Sequence, residues 1–113
     1  MAKYLIRHMD NAPEVLHSLC GMSTRLITYR DNAEVNLHFV HILDGVKHYH
    51  KRATEVYYVL EGKGKLELDD ETVDLKPGMA VYIPAGVRHR GYGDFKTLVI
   101  GAPAQTPEDE FTD

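Results

Sequence analysis

The sequence holds a single cysteine, Cys20, so no disulfide can close within the chain. Charge interrupts the apolar residues of the N-terminus too early, at Lys3, Arg7 and His8, for a secretory leader. Together these predict a reducing, cytoplasmic setting, with Cys20 as an inert buried thiol. Long hydrophobic runs are missing too. None approaches the roughly 20 apolar residues of a membrane-spanning helix, so a soluble protein with no membrane contact is expected. Basic charge is scarce: 13 Lys and Arg face 17 Asp and Glu, for a formal charge of −4. The basic residues are also scattered, which argues against a nucleic-acid partner. At 113 residues the chain has the length of about one domain and buries roughly two thirds of its unfolded surface around one core.

What the chain has is strand signals. Segments 25–29, 35–43, 55–60, 65–68, 72–75, 80–83 and 96–100 are short, rich in β-branched or aromatic residues, and separated by Gly, Pro or Asp. This spacing suggests a sandwich or barrel. Leu66 and Leu68 alternate in phase with Val73 and Leu75 across Asp69-Asp70-Glu71, which predicts a hairpin with a solvated acidic turn. Only segment 13–19 reads as a helical turn, with Asn11 as its cap and Gly21 as its stop. The acidic end, 105–113, has the composition of a fraying tail that Phe111 could anchor. Leu98-Val99-Ile100 is apolar on both strand faces, so its outward face needs a cover.

The chemistry concentrates in the histidines of the middle of the chain. In an extended strand His48 and His50 point the same way with Cα atoms roughly 7 Å apart, so their imidazoles can converge on one ion. The same alternation puts Glu55, Tyr57 and Val59 on one face. His89 comes from a distant strand. Three imidazoles and one carboxylate suit Fe, Mn, Ni, Co or Zn better than Ca or Mg, which prefer oxygen shells. Four protein ligands on an ion that accepts more would leave positions open for a small molecule. His38 and His41 fall on opposite faces of one strand, so at most one looks inward. His8 and His17 lie outside this frame and read as surface or interface residues. Arg88 and Arg90 flank His89 and should face away from it. That leaves no evident arginine to anchor a substrate carboxylate, and beyond Glu55 no acid at a secure inward position.

The order Gly45, His48-Tyr49-His50, Glu55, Gly62, and then Gly78, Pro84, Gly86 and His89, resembles the two motifs of the cupin superfamily. Two positions depart from the family pattern, Ile42 and Gly93, where members usually have Gly and Asn. Neither is a ligand position. The resemblance covers roughly residues 34–101. It implies an all-β cupin double-stranded β-helix, or jelly-roll, barrel, as one domain over residues 1–113 with a core barrel at about 25–101 and an acidic tail at 103–113. It also implies one divalent transition metal held by His48, His50, Glu55 and His89, and, by the habit of small cupins, a homodimer. The reaction is left open among three classes. The first is an enzyme acting on a small oxygen-rich substrate, dioxygenase- or decarboxylase-like, with Tyr57 as the nearest candidate proton donor, or else a barrel-filling aromatic. The second is a metal-dependent sugar or uronate isomerase or lyase. The third is a non-catalytic binder of a small ligand.

Overall fold

Seven antiparallel strands build the chain in this computed structural model, which describes residues 4–113. They are β1 (Glu14–His17), β2 (Met22–Ile27), β3 (Asn36–Asp44), β4 (Thr54–Leu68), β5 (Glu71–Leu75), β6 (Ala80–Ile83) and β7 (His89–Ala102). Their order across the sheet is β1-β2-β3-β7-β4-β5, with β6 also paired to β4. The molecule is thus all-β, as expected. Strand alternation sets the interior: in β3, Asn36, His38, Val40 and Ile42 point inward, while His41 points out and meets Asp94 at 2.7 Å. Val40, Ile42, Tyr57, Val59, Leu66, Leu75, Ile83, Phe95 and Val99 form one buried cluster. Among the described residues no helix is long and apolar enough to cross a membrane.

The strands are longer than the sequence suggested. Segments 55–60 and 65–68 belong to one strand, β4, and the segment 96–100 is the end of β7, which begins at His89. Glycine is the reason. Gly62 bends β4 with φ +94 and Gly93 bends β7 with φ +120, and a register shift between Val59 and Glu61 accommodates the bend. The two strands therefore fold over the core as one ribbon where turns were expected. Gly64 lies opposite Gly93 and leaves room for the Phe95 ring. A Cβ on Gly62 would stand 2.7 Å from the Cα of Phe95, on a backbone that L-residues rarely adopt. Gly62→Ala is accordingly expected to destabilise by about 2 kcal/mol or more, read as a lower urea midpoint. A change under about 0.5 kcal/mol would show that the ribbon relaxes around it.

The helical expectation at 13–19 is corrected. A short 3₁₀ turn at Met9–Asn11 comes first, and Glu14–His17 is then strand β1. Its partner is β2, with Glu14 opposite Arg25 and His17 opposite Met22. The local pattern was compatible with a helical turn, but tertiary strand pairing decides short segments of this kind. Gly21, read as a helix stop, closes the β1–β2 hairpin, where the Ser18 N–H donates to its carbonyl at 2.7 Å. The β4–β5 hairpin forms as expected, with Leu68 opposite Glu71 and Asp69 at φ 53 in the turn.

The C-terminal segment does not fray. Tyr49 and Phe111 exchange backbone hydrogen bonds of 3.0 and 3.1 Å, and their rings stack at 5.4 Å. Phe111 is the anchor that the sequence suggested. On the opposite side of the sheet Tyr58, Leu60, Tyr82 and Ile100 are exposed, so the outward face of β4, β6 and β7 is apolar.

Candidate metal centre

Three elements bring the expected ligands together. His48 sits in a bridge that pairs it with His89, at the start of β7, and His50 follows two residues later in an irregular segment. Glu55 enters from β4, one residue after its start. All four side chains are buried, each at most 3% exposed. One ligand atom from each lies within 4.8 Å of the others.

The backbone orients every imidazole. Nδ1 of His48 donates to the Val46 carbonyl at 2.7 Å, Nδ1 of His50 to the Asp109 carbonyl at 2.8 Å, and Nδ1 of His89 to the Val87 carbonyl at 2.9 Å. A carbonyl can only accept, so Nδ1 carries the proton and each Nε2 turns a lone pair inward. Glu55 Oε1 lies 3.1 Å from His50 Nε2 and 2.8 Å from His89 Nε2. Two donor atoms each about 2.1 Å from a shared ion and at right angles stand roughly 3 Å apart, so this spacing suits a common cation. His50 Nε2, His89 Nε2 and Glu55 Oε1 are otherwise buried without a hydrogen-bond partner. Lone pairs facing lone pairs in a dry interior call for a positive charge between them.

A proton is the lesser answer. Burial opposes the Glu55 anion, but the His50 and His89 side chains outweigh it and hold the carboxyl below the usual carboxylate range. Burial likewise opposes charge on His50, and the Glu55 carboxylate outweighs it, raising the imidazole. His48 goes the other way, pushed down to about 4 by burial and by its neighbour His89. One proton serves one imidazole, whereas a divalent cation serves all four side chains together.

The second carboxylate oxygen is held separately. Gln105 donates its side-chain N–H to Glu55 Oε2, while its backbone N–H donates to Asn36 Oδ1 at 2.7 Å. Oε1 is thereby left facing the imidazoles. Gln105 was not foreseen, because its segment read as a loose tail. Cys20 was foreseen only as a buried thiol. It is partly buried and sits beside the ligands, with Sγ 3.6 Å from His48 Nε2 and 3.4 Å from the Tyr57 hydroxyl. Burial, reinforced by the Glu55 charge, pushes this thiol up to about 12, so it stays protonated.

A cavity of about 530 Å³ leads to this site, walled by β1, β2, β3 and the C-terminal segment. A narrower pocket lined by Cys20, His48 and His50 shares Arg25, His38, Gln105 and Glu110 with it. Of the four clustered side chains, His48 and His50 line this narrower pocket, and Glu55 and His89 lie buried beside them. His38 is the inward member of its pair, neutral at ordinary pH because burial, aided by Arg25, holds it down to about 4. Glu110 supplies the inward acid that the sequence did not reveal, and burial raises its carboxyl. Arg25 lies on the same wall, an arginine that the sequence did not place there. Arg88 and Arg90 do face away, the first over the Tyr49 ring and the second paired with Asp44 and Glu67. Tyr57 does not line the cavity or the pocket: it fills the core behind Cys20, with its hydroxyl raised well above the ordinary value by burial.

Comparison with known proteins agrees with this architecture. The chain is 36% identical over 66 residues to an uncharacterized protein of Methanocaldococcus jannaschii, a match over 55% of this chain and 53% of that one. It spans about half the length of that relative. A protein of Planctomyces limnophilus has a crystal structure that superposes with a TM-score of 0.88 at 27% identity, covering 97% of both chains. Ectoine synthase from P. lautus superposes with a TM-score of 0.78 at 20% identity, covering 96% of this chain and 88% of that one. The family described as the cupin domain matches residues 41–99, just over half of the sequence and the span that contains all four clustered side chains. The chain belongs to the cupin family, and its barrel is the jelly roll of that family.

Proposed function

We propose that this protein is a metal-dependent enzyme acting on a small oxygen-rich substrate, with one divalent transition ion held by His48, His50, Glu55 and His89. The observation that carries the reading is the set of buried, unpartnered acceptor atoms on His50, Glu55 and His89, gathered within 4.8 Å of one another beside a pocket that His48 and His50 line. A bound ion would supply Lewis acidity toward a carbonyl or carboxylate oxygen, or a site for dioxygen. The protein's own groups do the rest. The Val46, Val87 and Asp109 carbonyls fix the imidazole tautomers, and Gln105 fixes the Glu55 carboxylate. Fe, Mn, Ni, Co and Zn all suit this donor set.

One observation favours an isomerase or lyase as the second reading. Glu110 on the cavity wall is free of the ligand set and placed to take a proton from a bound molecule or return it. Tyr57, behind Cys20, has no such access. That ectoine synthase, a named enzyme, uses the same barrel adds to the case for catalysis, though the likeness between the two chains is one of fold.

Elemental analysis of protein purified without chelators tests the proposal. About one transition ion per chain is expected, as for a single four-ligand site. Wild-type protein that arrives empty and cannot be reloaded would overturn it.

We further propose a cytoplasmic homodimer in which a second copy covers the exposed Tyr58, Leu60, Tyr82 and Ile100. Light scattering should return twice the chain mass at micromolar concentration, and Tyr82→Glu with Ile100→Glu should halve it. A monomeric wild type would remove the second copy from the proposal.

A further inference from the structure

Arginines whose role is structural are well satisfied in this molecule. Arg7 donates to both oxygens of Asp31, at 2.8 and 3.0 Å, and to the Leu26 carbonyl at 2.7 Å. Arg90 meets Asp44 at 2.6 Å, Glu67 at 3.0 Å and the Gly45 carbonyl at 2.9 Å. Arg25 differs from both. Its side chain is 15% exposed, against 22% for Arg7 and 30% for Arg90. Yet its contacts are long: Nε to Ser23 Oγ at 3.4 Å, and Nη1 to Glu14 Oε2 at 3.7 Å, beyond hydrogen-bond range. Glu14 is also shared, since its other oxygen meets Arg30 at 3.1 Å.

A guanidinium offers five N–H donors, and burying it without partners is costly. Arg25 holds that charge on the wall common to the cavity and to the pocket at its floor. Of its neighbours on that wall, His38 is uncharged, and the guanidinium's polar contacts run to Ser23 and Glu14 instead of Glu110. Gln105 adds an amide on the same wall. The cavity, about 530 Å³, falls within the roughly 300–1,000 Å³ of small-molecule sites.

We propose that Arg25 is the anchor for a carboxylate-bearing ligand, so that the substrate is a small organic acid bound with its carboxylate on Arg25 and its reacting end toward His48 and His50. The substrate role rests on the enzyme reading above, whereas the anion site does not. Guanidinium and carboxylate match as a planar, two-pronged pair, which favours a carboxylate over a compact inorganic anion and over a neutral polyol.

The test uses butyrate and 3-hydroxybutyrate, each against its primary amide, which keeps the shape and removes the charge. Binding is followed by NMR titration of the metal-loaded full chain, with the Arg25 Nε–H and Gln105 side-chain signals as reporters. Both acids should bind about ten- to a hundredfold more tightly than their amides and shift those two signals. Arg25→Met should reduce the acids to the level of the amides, and Arg25→Lys should fall between. If Arg25→Met fails to fold, the Arg25→Lys variant and the acid-to-amide ratio of the wild type decide the matter. Amides that bind as well as acids, absence of binding by either acid, or wild-type affinity in Arg25→Met would each overturn the proposal. Repeating the titration on metal-depleted protein separates the two readings. Acid binding that vanishes with the metal but is indifferent to Arg25 refutes the anchor and leaves the metal centre standing. Arg25-dependent binding in a chain that takes up no metal does the reverse.

Discussion

Replacing His48 and His89 together by alanine is expected to lower bound metal from about one ion per chain to below about a tenth, because two ligands seldom hold a labile divalent ion through purification. The barrel should survive the change. Neither side chain belongs to the main apolar cluster, and His50 and Gln105 still face the Glu55 carboxylate after both are removed. Stability then becomes a second readout. An ion that binds only the folded chain adds RT ln(1 + [L]/Kd), or about 4 kcal/mol at a thousandfold excess over Kd. A strong chelator should therefore lower the melting temperature of the wild type and leave that of the double variant unchanged. Full metal content in the variant would sink the assignment of these histidines. An equal response of both proteins to chelator would place the ion somewhere else.

The cluster of His48, His50, Glu55 and His89 was legible because three of its members lie in one short frame. The spacing of His48, His50 and Glu55 is set by a single extended passage and the strand after it, and His89 follows a Pro84-Ala85-Gly86 turn. Local periodicity fixes which way such side chains point. The hairpin at Asp69-Asp70 and the inward face of β4 were readable for the same reason. What surrounds the ligands was not. Arg25, His38, Gln105 and Glu110 come from β2, β3 and the last residues of the chain, and they meet only through the register of β2 on β3 and the docking of Phe111 on Tyr49. Register between distant strands is a tertiary quantity that no local pattern states. The misread helix at 13–19 has the same origin, since β1 owes its conformation to its partner β2. Composition misled at the C-terminus as well. An acidic segment looks solvated until one of its carboxylates finds a row of backbone donors.

That carboxylate belongs to Asp109, and its replacement by alanine is expected to cost about 2–3 kcal/mol, near the upper range for a single polar contact because three donors are stranded together. Its oxygens accept the N–H groups of Lys51 at 2.9 Å, Arg52 at 3.1 and 3.2 Å and Ala53 at 3.0 Å, while its own carbonyl accepts Nδ1–H of His50. The residue is 6% exposed, and the segment it holds runs from His50 toward Glu55, two members of the candidate metal cluster. Loss of the side chain should thus lower both the urea midpoint and the affinity for metal, although Asp109 touches no ion. The sign of the pH effect follows from its carboxyl. Burial opposes the charge, but the backbone N–H groups outweigh it and hold the carboxyl below the ordinary 3.8. A depressed native value means stability that is complete above the unfolded value and is lost as pH falls through the folded one. In chelated protein the gap between wild type and Asp109→Ala should be constant from about pH 7 to pH 5 and should narrow below about pH 4. Asp109→Asn, which keeps one acceptor oxygen, should lie between the two. Urea unfolding across that range, with metal titrations of the same proteins at neutral pH, checks each step. If Asp109→Ala unfolds at the wild-type midpoint and binds metal equally well, the tail rests on the barrel without shaping it.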